Sequence, residues 1–197
     1  MKERLDIMIA GVGGQGTVLS SRILAQAALD SGLTARTAEN IGMAQREGSV
    51  QSHVRIGAAA YGPLIGRGRA DILVGFEPAE AQRATDQLKP GGVMLVNLEP
   101  IYPVTVALGQ SQYPLEEIQN YLGARPVKPI FVNATRLAIA AGNFKTLNAV
   151  MLGLLSATGN LPMSAATIKN TLLELVPAKA RDVNQRAFEL GYEALQK

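Results

Sequence analysis

The stretch LDIMIAGVGGQG, residues 5–16, decides the fold expected of this chain. A short apolar run leads directly into glycines at positions 11, 13, 14 and 16, and a pattern suited to a helix begins at Thr17. Gly11, Gly13 and Gly16 match the G-x-G-x-x-G dinucleotide fingerprint. Glycines at such a loop let backbone N–H groups at the start of a helix approach a phosphate or another chain. The alternative interpretation is a tight turn that packs the helix on the strand.

The composition predicts a single folded domain, residues 1–197, with a sizeable core. Hydrophobic residues make up 47% of the chain and charged residues 18%, which is typical of a globular protein. The net charge is only +3, aromatic residues are 5%, and there is no Trp. These values argue against a nucleic-acid partner, because such proteins carry dense basic patches or stacking rings.

The chain contains no cysteine and a single histidine, His53. Disulfides, thiolate nucleophiles and iron–sulfur ligation are therefore excluded, and we predict no metal site. No apolar run approaches the roughly 20 residues of a membrane span, and the N-terminus does not resemble a signal peptide. We expect a cytoplasmic protein without membrane contact.

The first third of the sequence predicts a β-α-β unit. Residues 17–31 place apolar side chains on one face of a helix, and residues 34–39 form the next strand. Glu39 has the position at which an acidic residue would hold the ribose of a dinucleotide. No lysine precedes Thr17, so the loop is not a P-loop. A nicotinamide enzyme would also need acid/base residues, normally from a second domain, and we assign no catalytic residue.

Residues 49–57 alternate between apolar and polar side chains, which predicts a strand at an exposed or interfacial position of the sheet. We expect residues 58–65 to pair back on this strand as a hairpin, through a turn at Gly62.

Polar and cationic residues cluster within and before this strand. The functional hypothesis is contact with an anion or a partner, and the alternative is a solvated strand face in which Arg46 pairs with Glu47. His53 is expected to be structural rather than catalytic, with a pKa sensitive to the nearby Arg55. The candidate contact residues are Gln45, Arg46, Gln51, His53 and Arg55.

Short apolar runs and proline positions predict the remaining elements. The run NAVMLGLL, residues 148–155, is expected to be core, with Gly153 allowing a close contact with another helix. All elements together predict an α/β fold: a Rossmann-like, mostly parallel sheet with an added antiparallel hairpin and a helical C-terminal third. The further predicted strands are 71–76, 93–96, 104–108 and 130–132, and the further predicted helices are 78–89, 115–121, 133–157, 164–175 and 178–195.

Five segments carry a family resemblance when they are taken in order: GVGGQG (11–16), GMAQREGSVQSHVRIG (42–57), ADILVGFEPAEA (70–81), NAVMLGLL (148–155) and NQRAFELGYE (184–193). The chain resembles the gamma-type subunits or domains of 2-oxoacid:ferredoxin oxidoreductases. The second segment is far more specific than the glycine loop. Its His/Arg strand favours the small (beta) subunits of the indolepyruvate branch over the pyruvate and 2-oxoglutarate branches.

The resemblance implies a subunit of a complex that oxidatively decarboxylates an aryl-2-oxoacid on thiamine diphosphate. Electrons would pass through iron–sulfur clusters to ferredoxin, and the acyl group would end on coenzyme A. A larger, cysteine-containing subunit would carry the thiamine diphosphate and the clusters. This chain would hold no cofactor alone and would share coenzyme A with that partner.

The resemblance also suggests how this chain binds the phosphates of coenzyme A. Gln45, Gln51, His53 and Arg55 would contact the partner or an anion. Glu47 departs from the family, which more often has glycine there, and a carboxylate beside Arg46 would weaken an anion site. The residues expected to hold coenzyme A are Gly11, Gly13, Gly14, Gln15, Gly16, Thr17 and Arg46.

Two rival hypotheses come from other classes of protein. One is a stand-alone NAD(P)-binding Rossmann protein, and the other is a non-catalytic nucleotide-binding or assembly module. The sequence leaves open whether the isolated chain forms a homodimer.

Overall fold

The computed structural model describes residues 4–43, 48–127 and 129–196. Its strands are β1 (Leu5–Val12), β2 (Ala35–Ile41), β3 (Ser49–Ile56), β4 (Ala70–Gly75), β5 (Leu88–Asn97) and β6 (Pro129–Val132). Its helices are α1 (Thr17–Asp30), α2 (Pro78–Ala84), α3 (Val104–Ala107), α4 (Leu115–Gly123), α5 (Ala134–Ala141), α6 (Leu147–Ala157), α7 (Ala165–Leu175) and α8 (Arg181–Glu193). Short 3₁₀ turns occupy Thr85–Gln87, Phe144–Thr146 and Ala178–Ala180.

The six strands form one sheet in the order β2-β3-β1-β4-β5-β6. β1, β4, β5 and β6 pair in parallel, whereas β3 runs antiparallel to both β1 and β2. The predicted fold class, a mostly parallel α/β sheet with an antiparallel hairpin and a helical C-terminal third, is therefore confirmed.

The partner of β3 in the hairpin was predicted wrongly. Residues 58–65 form no strand, and β3 pairs instead with the preceding strand β2, from Ala35↔Ile56 to Ile41↔Val50. Carbonyl groups of the 58–65 segment accept hydrogen bonds from arginine side chains rather than from a β ladder. Arg36 Nε donates to Ala60 O at 2.7 Å. A local pattern of polar and apolar residues does not specify which strand provides the ladder.

Further elements also differ from the sequence prediction. The helix predicted over residues 133–157 is divided at Gly142, which has a φ of 113°, into α5 and α6. Residues 104–108 are not a strand, because α3 forms directly after Pro103, which is its N-cap. Residues 90–92, between the predicted helix 78–89 and the predicted strand 93–96, lie inside β5, where the register with β4 shifts between the pairs Ala70↔Leu88 and Ile72↔Val93. The proline and glycines are accommodated as a bulge in the strand rather than as its end.

Alternate residues of the strands face two hydrophobic cores. Ile7 and Ile9 of β1 face the core built with α1 and α5–α8, whereas Met8 and Ala10 face the core built with α2 and α4. Within the first core, a Cβ on Gly153 of α6 would lie 2.1 Å from Phe188 O of α8, so the predicted close helix contact is confirmed. In the described part of the chain, no helix is long and apolar enough to cross a membrane.

Candidate functional site

The site lies at the carboxyl edge of the sheet, defined as the edge at which β1, β4, β5 and β6 end. The neighbouring strands β1 and β4 are followed by α1 and α2, which pack on opposite faces of the sheet. A crevice opens where the connections of adjacent parallel strands diverge in this way. The glycine loop, residues 11–16, follows β1 at this position.

Gln15 closes the glycine loop against the sheet. Its Oε1 accepts a hydrogen bond from Val12 N at 2.8 Å, and its Nε2 donates to Phe76 O at 2.9 Å, just after β4. Gly11 makes room for this arrangement, because a Cβ there would lie 2.8 Å from Gln15 Oε1, Phe76 Cβ and Thr17 Cγ2. Gln15, Gly11 and the buried Thr17 therefore shape the loop from inside.

Gly14, which is exposed, and Gly16 form the turn that leads into α1. Both have positive φ, 94° and 85°, which is the left-handed region that favours glycine. A Cβ on Gly14 would meet no heavy atom of the described residues within 4 Å. Gly16 is the N-cap of α1, and no described side chain caps the helix there. The first turn of a 14-residue helix is thus available to an acceptor at its positive end.

A buried amide lies beside this helix start. Asn148, near the start of α6, is 3% exposed, and its Nδ2 has no hydrogen-bond partner within the described ranges. A Cβ on Gly16 would lie 2.9 Å from Asn148 Cβ and 3.7 Å from Nδ2. A buried donor without an acceptor is costly, so this group marks a position where an acceptor would be favourable.

A crevice of about 320 Å³ extends from the glycine loop along the carboxyl edge. Lys145 places a cation on its wall, and Glu99 places a carboxylate there that accepts a hydrogen bond from Asn133 Nδ2 at 3.2 Å. Sequence reasoning did not find Lys145 or Asn148, because no local signal connects them to a loop more than 120 residues away. The crevice is lined by Gly13, Gly14, Gln15, Glu99, Ile101, Thr135, Phe144, Lys145 and Leu147.

The β2–β3 hairpin reaches the same edge. Gly13 N donates to Gly48 O at 2.9 Å, so the residue just before β3 abuts the glycine loop. The predicted contact residues Gln45 and Arg46 lie outside the described residues. Gln51, in the middle of β3, is half-buried opposite Ala10 of β1.

Arg55 is held inside the fold. Its Nε lies 3.0 Å from Oδ1 of Asp6, a residue with no solvent exposure, and its Nη1 donates to Gly62 O and Leu64 O at 2.7 and 3.1 Å. Only 12% of the Arg55 side chain is exposed. Contact of Arg55 with an anion or a partner stays a prediction, and these bonds favour an internal role.

His53 is buried and is engaged through both ring nitrogens. Ile65 N donates to Nδ1 at 3.1 Å, and the Asn40 amide lies 3.2 Å from Nε2. Burial and, to a lesser extent, the Arg55 charge hold the pKa of His53 below its usual 6.5, against a weaker opposite effect of Glu39. Since Nδ1 accepts a backbone hydrogen bond, the neutral ring carries its proton on Nε2, and this proton is bound by Asn40 only when the amide turns its oxygen, instead of Nδ2, toward the ring. Contact of His53 with an anion or a partner stays a prediction.

The His53→Gln variant tests this environment. In the unfolded chain His53 is protonated near its ordinary pKa of 6.5, whereas in the folded chain it is protonated only at a lower pH. Folding stability is therefore complete above 6.5 and declines as the pH falls toward the folded-state pKa. We expect the wild-type free energy of unfolding to decrease more than that of the variant between about pH 7.5 and 5.5. Urea titrations measure the difference, and equal pH dependence of the two proteins would contradict it.

Glu39 does not lie close enough to the glycine loop to act as a ribose-binding residue. β3 lies between β2 and β1, which moves Glu39 one strand spacing, about 5 Å, further from the glycine loop than in a simple β-α-β unit. The expectation of a plain β-α-β unit is wrong for this reason. Glu39 Oε1 instead accepts a hydrogen bond from Ser21 Oγ of α1 at 3.1 Å.

Comparison with known proteins identifies the family. The sequence profile of the pyruvate ferredoxin/flavodoxin oxidoreductase family matches residues 6–194. The chain belongs to this family. It is 44% identical to the indolepyruvate oxidoreductase subunit IorB of Pyrococcus horikoshii over 196 residues, covering 98% of this chain and 96% of that protein.

Other members of the family are more distant. The 2-oxoglutarate synthase subunit KorC of Methanothermobacter thermautotrophicus is 31% identical, over 98% of this chain and 95% of that protein. The crystal structure of the gamma subunit of a keto/oxoacid ferredoxin oxidoreductase from Geobacter sulfurreducens matches with a TM-score of 0.72 and 25% identity, over 98% of both chains. The predicted resemblance to the indolepyruvate branch, and the predicted role as an oxidoreductase subunit, are thereby confirmed.

Proposed function

We propose that this chain is the small subunit of an indolepyruvate-type, thiamine-diphosphate-dependent ferredoxin oxidoreductase, and that it helps to bind coenzyme A. It would work in the cytoplasm, as one domain over residues 1–197, by completing the active site of a larger, cysteine-containing subunit. The observation that carries the coenzyme A part is the crevice at the glycine loop, which lies beside the uncapped start of α1. The unpartnered amide of Asn148 is buried behind the same helix start and does not line the crevice.

The residues at this crevice fit a phosphate group. The start of α1 offers backbone N–H groups beside Gly14, where side chains leave the approach open. Asn148 Nδ2 is a buried donor behind Gly16, and Lys145 supplies positive charge to the crevice. Glu99 on the same crevice opposes an anion, although Asn133 already engages its carboxylate. The pyrophosphate or the 3′-phosphate of coenzyme A has the charge and acceptors that this arrangement suits.

The absence of cysteine supports the division of work between the two chains. Iron–sulfur clusters need thiolate ligands, and this chain has none to offer. Among the described residues, no group of three or more His, Asp or Glu side chains is placed to hold a metal ion. Thiamine diphosphate and the clusters would belong to the larger subunit, from which electrons would pass to ferredoxin. Coenzyme A, bound between the chains, would accept the acyl group.

The stand-alone NAD(P)-binding hypothesis has less support. A dinucleotide site needs an acidic residue beside the glycine loop, and the insertion of β3 separates Glu39 from it. A nucleotide-binding assembly module would use the same loop without contributing to catalysis. Coenzyme A binding to the assembled complex distinguishes these alternatives from the proposal.

Calorimetry of the assembled complex with coenzyme A tests the proposal. Lys145→Ala removes a charge from the crevice, and Gly14→Val introduces a branched side chain at a φ of 94°. We expect each variant to weaken binding at least about ten-fold, because one charge-assisted hydrogen bond is worth roughly 1.5–3 kcal/mol. Lys179→Ala, an exposed lysine away from the crevice, is the matched control and should bind like wild type.

Three outcomes would contradict the proposal. Unchanged affinity in both crevice variants would show that the loop does not bind coenzyme A. Tight binding of NADH by the isolated chain would favour a stand-alone dinucleotide protein. Failure of the chain to assemble with a larger, cysteine-containing subunit would reject the subunit role. The Arg46→Ala variant, measured in the same way, tests the remaining predicted phosphate contact.

A further inference from the structure

Fifteen consecutive residues after Glu99 carry no charge. This edge loop, residues 100–114, reads PIYPVTVALGQSQYP in a chain in which 18% of all residues are charged. It connects β5 to α4 and contains the short helix α3. Depletion of charge together with aromatic and apolar residues is typical of the centre of a protein–protein interface.

The edge loop exposes its apolar side chains instead of burying them. Tyr102 is 56% exposed, Val104 66% and Leu108 65%, and none of the four residues of α3 is buried. Single exposed apolar residues are ordinary. Three of them within seven uncharged residues form a patch of the kind found at interaction sites.

A single buried carboxylate fixes both ends of the edge loop. Glu77, only 2% exposed, accepts hydrogen bonds at Oε1 from Ile101 N, 3.4 Å away, and from the Tyr113 hydroxyl. The Tyr113 hydroxyl also accepts a hydrogen bond from Ala79 N at 3.1 Å, and its ring makes an edge-to-face contact with Tyr102, with centroids 5.4 Å apart. The exposed apolar residues are therefore presented on an anchored loop, which lowers the entropy cost of binding a partner.

A groove lies between the edge loop and α2. The groove has a volume of about 470 Å³, and Pro103 and Val106 of the edge loop line one side of it. Gln82 and Arg83 of α2 form the opposite wall, and the groove reaches Gly48 at the hairpin. A partner can insert a side chain here while its surface covers the exposed residues of the loop.

We propose that the edge loop and this groove are the docking surface for the larger, cysteine-containing subunit, which presents apolar or aromatic side chains to them. The inference rests on the proposed function. The groove and the glycine-loop crevice are continuous, because Ile101 lines both of them. A chain that covers the crevice up to Ile101 is therefore placed next to the edge loop.

The test measures binding of the purified larger subunit to a double variant, Val104→Glu with Leu108→Glu. We expect at least a ten-fold loss of affinity, with the free energy of unfolding of the isolated chain unchanged, since both side chains are exposed. Leu29→Glu is the matched control. It is 52% exposed near the end of α1, at the opposite edge of the sheet, and should bind like wild type.

Tyr113→Phe provides a second measurement, because it releases one end of the loop without adding charge. We expect a smaller loss of affinity for the larger subunit, accompanied by slower association, which mere loss of stability would not produce. Wild-type affinity in both the double variant and Tyr113→Phe would overturn the inference while leaving the proposed function intact.

The remaining outcomes separate the inference from the function on which it rests. If the wild-type chain does not bind the larger subunit at all, the proposed function fails and the inference fails with it. If the isolated chain dimerises, and the double variant abolishes the dimer but not binding of the larger subunit, the edge loop is a homodimer contact and the inference is overturned.

Discussion

Replacing Gly153 with valine is expected to destabilise the chain by about 3 kcal/mol, the upper part of the usual range for overpacking a core. A Cβ at this position would lie 2.1 Å from Phe188 O and 2.9 Å from Tyr192 N, both backbone atoms of α8. Backbone cannot move aside as a flexible side chain can. The contact is reciprocal, since a Cβ on Gly191 of α8 would lie 2.2 Å from Val150 O of α6. The two helices must separate to accept any side chain.

Urea unfolding of the isolated chain measures this effect. Gly123→Ala is the matched control, because Gly123 ends α4 and its added Cβ would meet no heavy atom of the described chain within 4 Å. That variant should keep the wild-type stability or gain up to about 1 kcal/mol from the reduced freedom of the unfolded chain. A Gly153→Val protein within about 0.5 kcal/mol of wild type would show that α6 and α8 do not pack as described.

The Asp6→Ala variant is expected to lose about 3–5 kcal/mol of stability, as found when one partner of a buried ion pair is removed. Asp6 has no exposed surface, and its carboxylate pairs with Arg55 Nε at 3.0 Å and Arg4 Nε at 3.1 Å. Without Asp6, the largely buried guanidinium of Arg55 keeps its carbonyl partners but loses its opposite charge. Arg55→Ala is expected to be destabilised in the same way, because it leaves the Asp6 carboxylate buried with less compensation.

The comparison of these variants also decides between two roles for Arg55. Arg67→Ala, in which an exposed arginine is removed, should change the free energy of unfolding by no more than about 0.5 kcal/mol and serves as the control. If Arg55→Ala behaves like this control while Asp6→Ala is strongly destabilised, Arg55 is not needed for folding and its predicted contact with an anion or a partner gains support. Thermal and urea unfolding give the required free energies.

Much of the architecture follows from local sequence signals. The apolar run before the glycine loop and the amphipathic pattern after Thr17 correctly predict β1 and α1, because period and turn chemistry are properties of neighbouring residues. The run at residues 148–155 is core, as predicted, and Gly153 lies at the helix contact. The family could be predicted as well, since the five segments that carry the resemblance occur in the sequence in the order typical of the family.

The candidate site was predictable only in part. The glycine loop could be found because its glycines are close together in the sequence. Lys145 and Asn148 could not, since they reach the loop only after α5 and α6 pack over the sheet. The anchoring of the edge loop by Glu77 joins residues 36 positions apart and likewise has no local signal.

The sequence by itself determined most of the strands and helices, although not residues 58–65 and 104–108, together with the place of the glycine loop and the family of the chain. Only the tertiary structure decided that β3 pairs with β2 and separates Glu39 from the glycine loop. It also decided that Arg55 forms an ion pair with the buried Asp6. The physical reason is that side-chain period and glycine positions act over a few residues. Strand neighbours and buried ion pairs depend instead on the best packing of the whole chain, which no short stretch specifies.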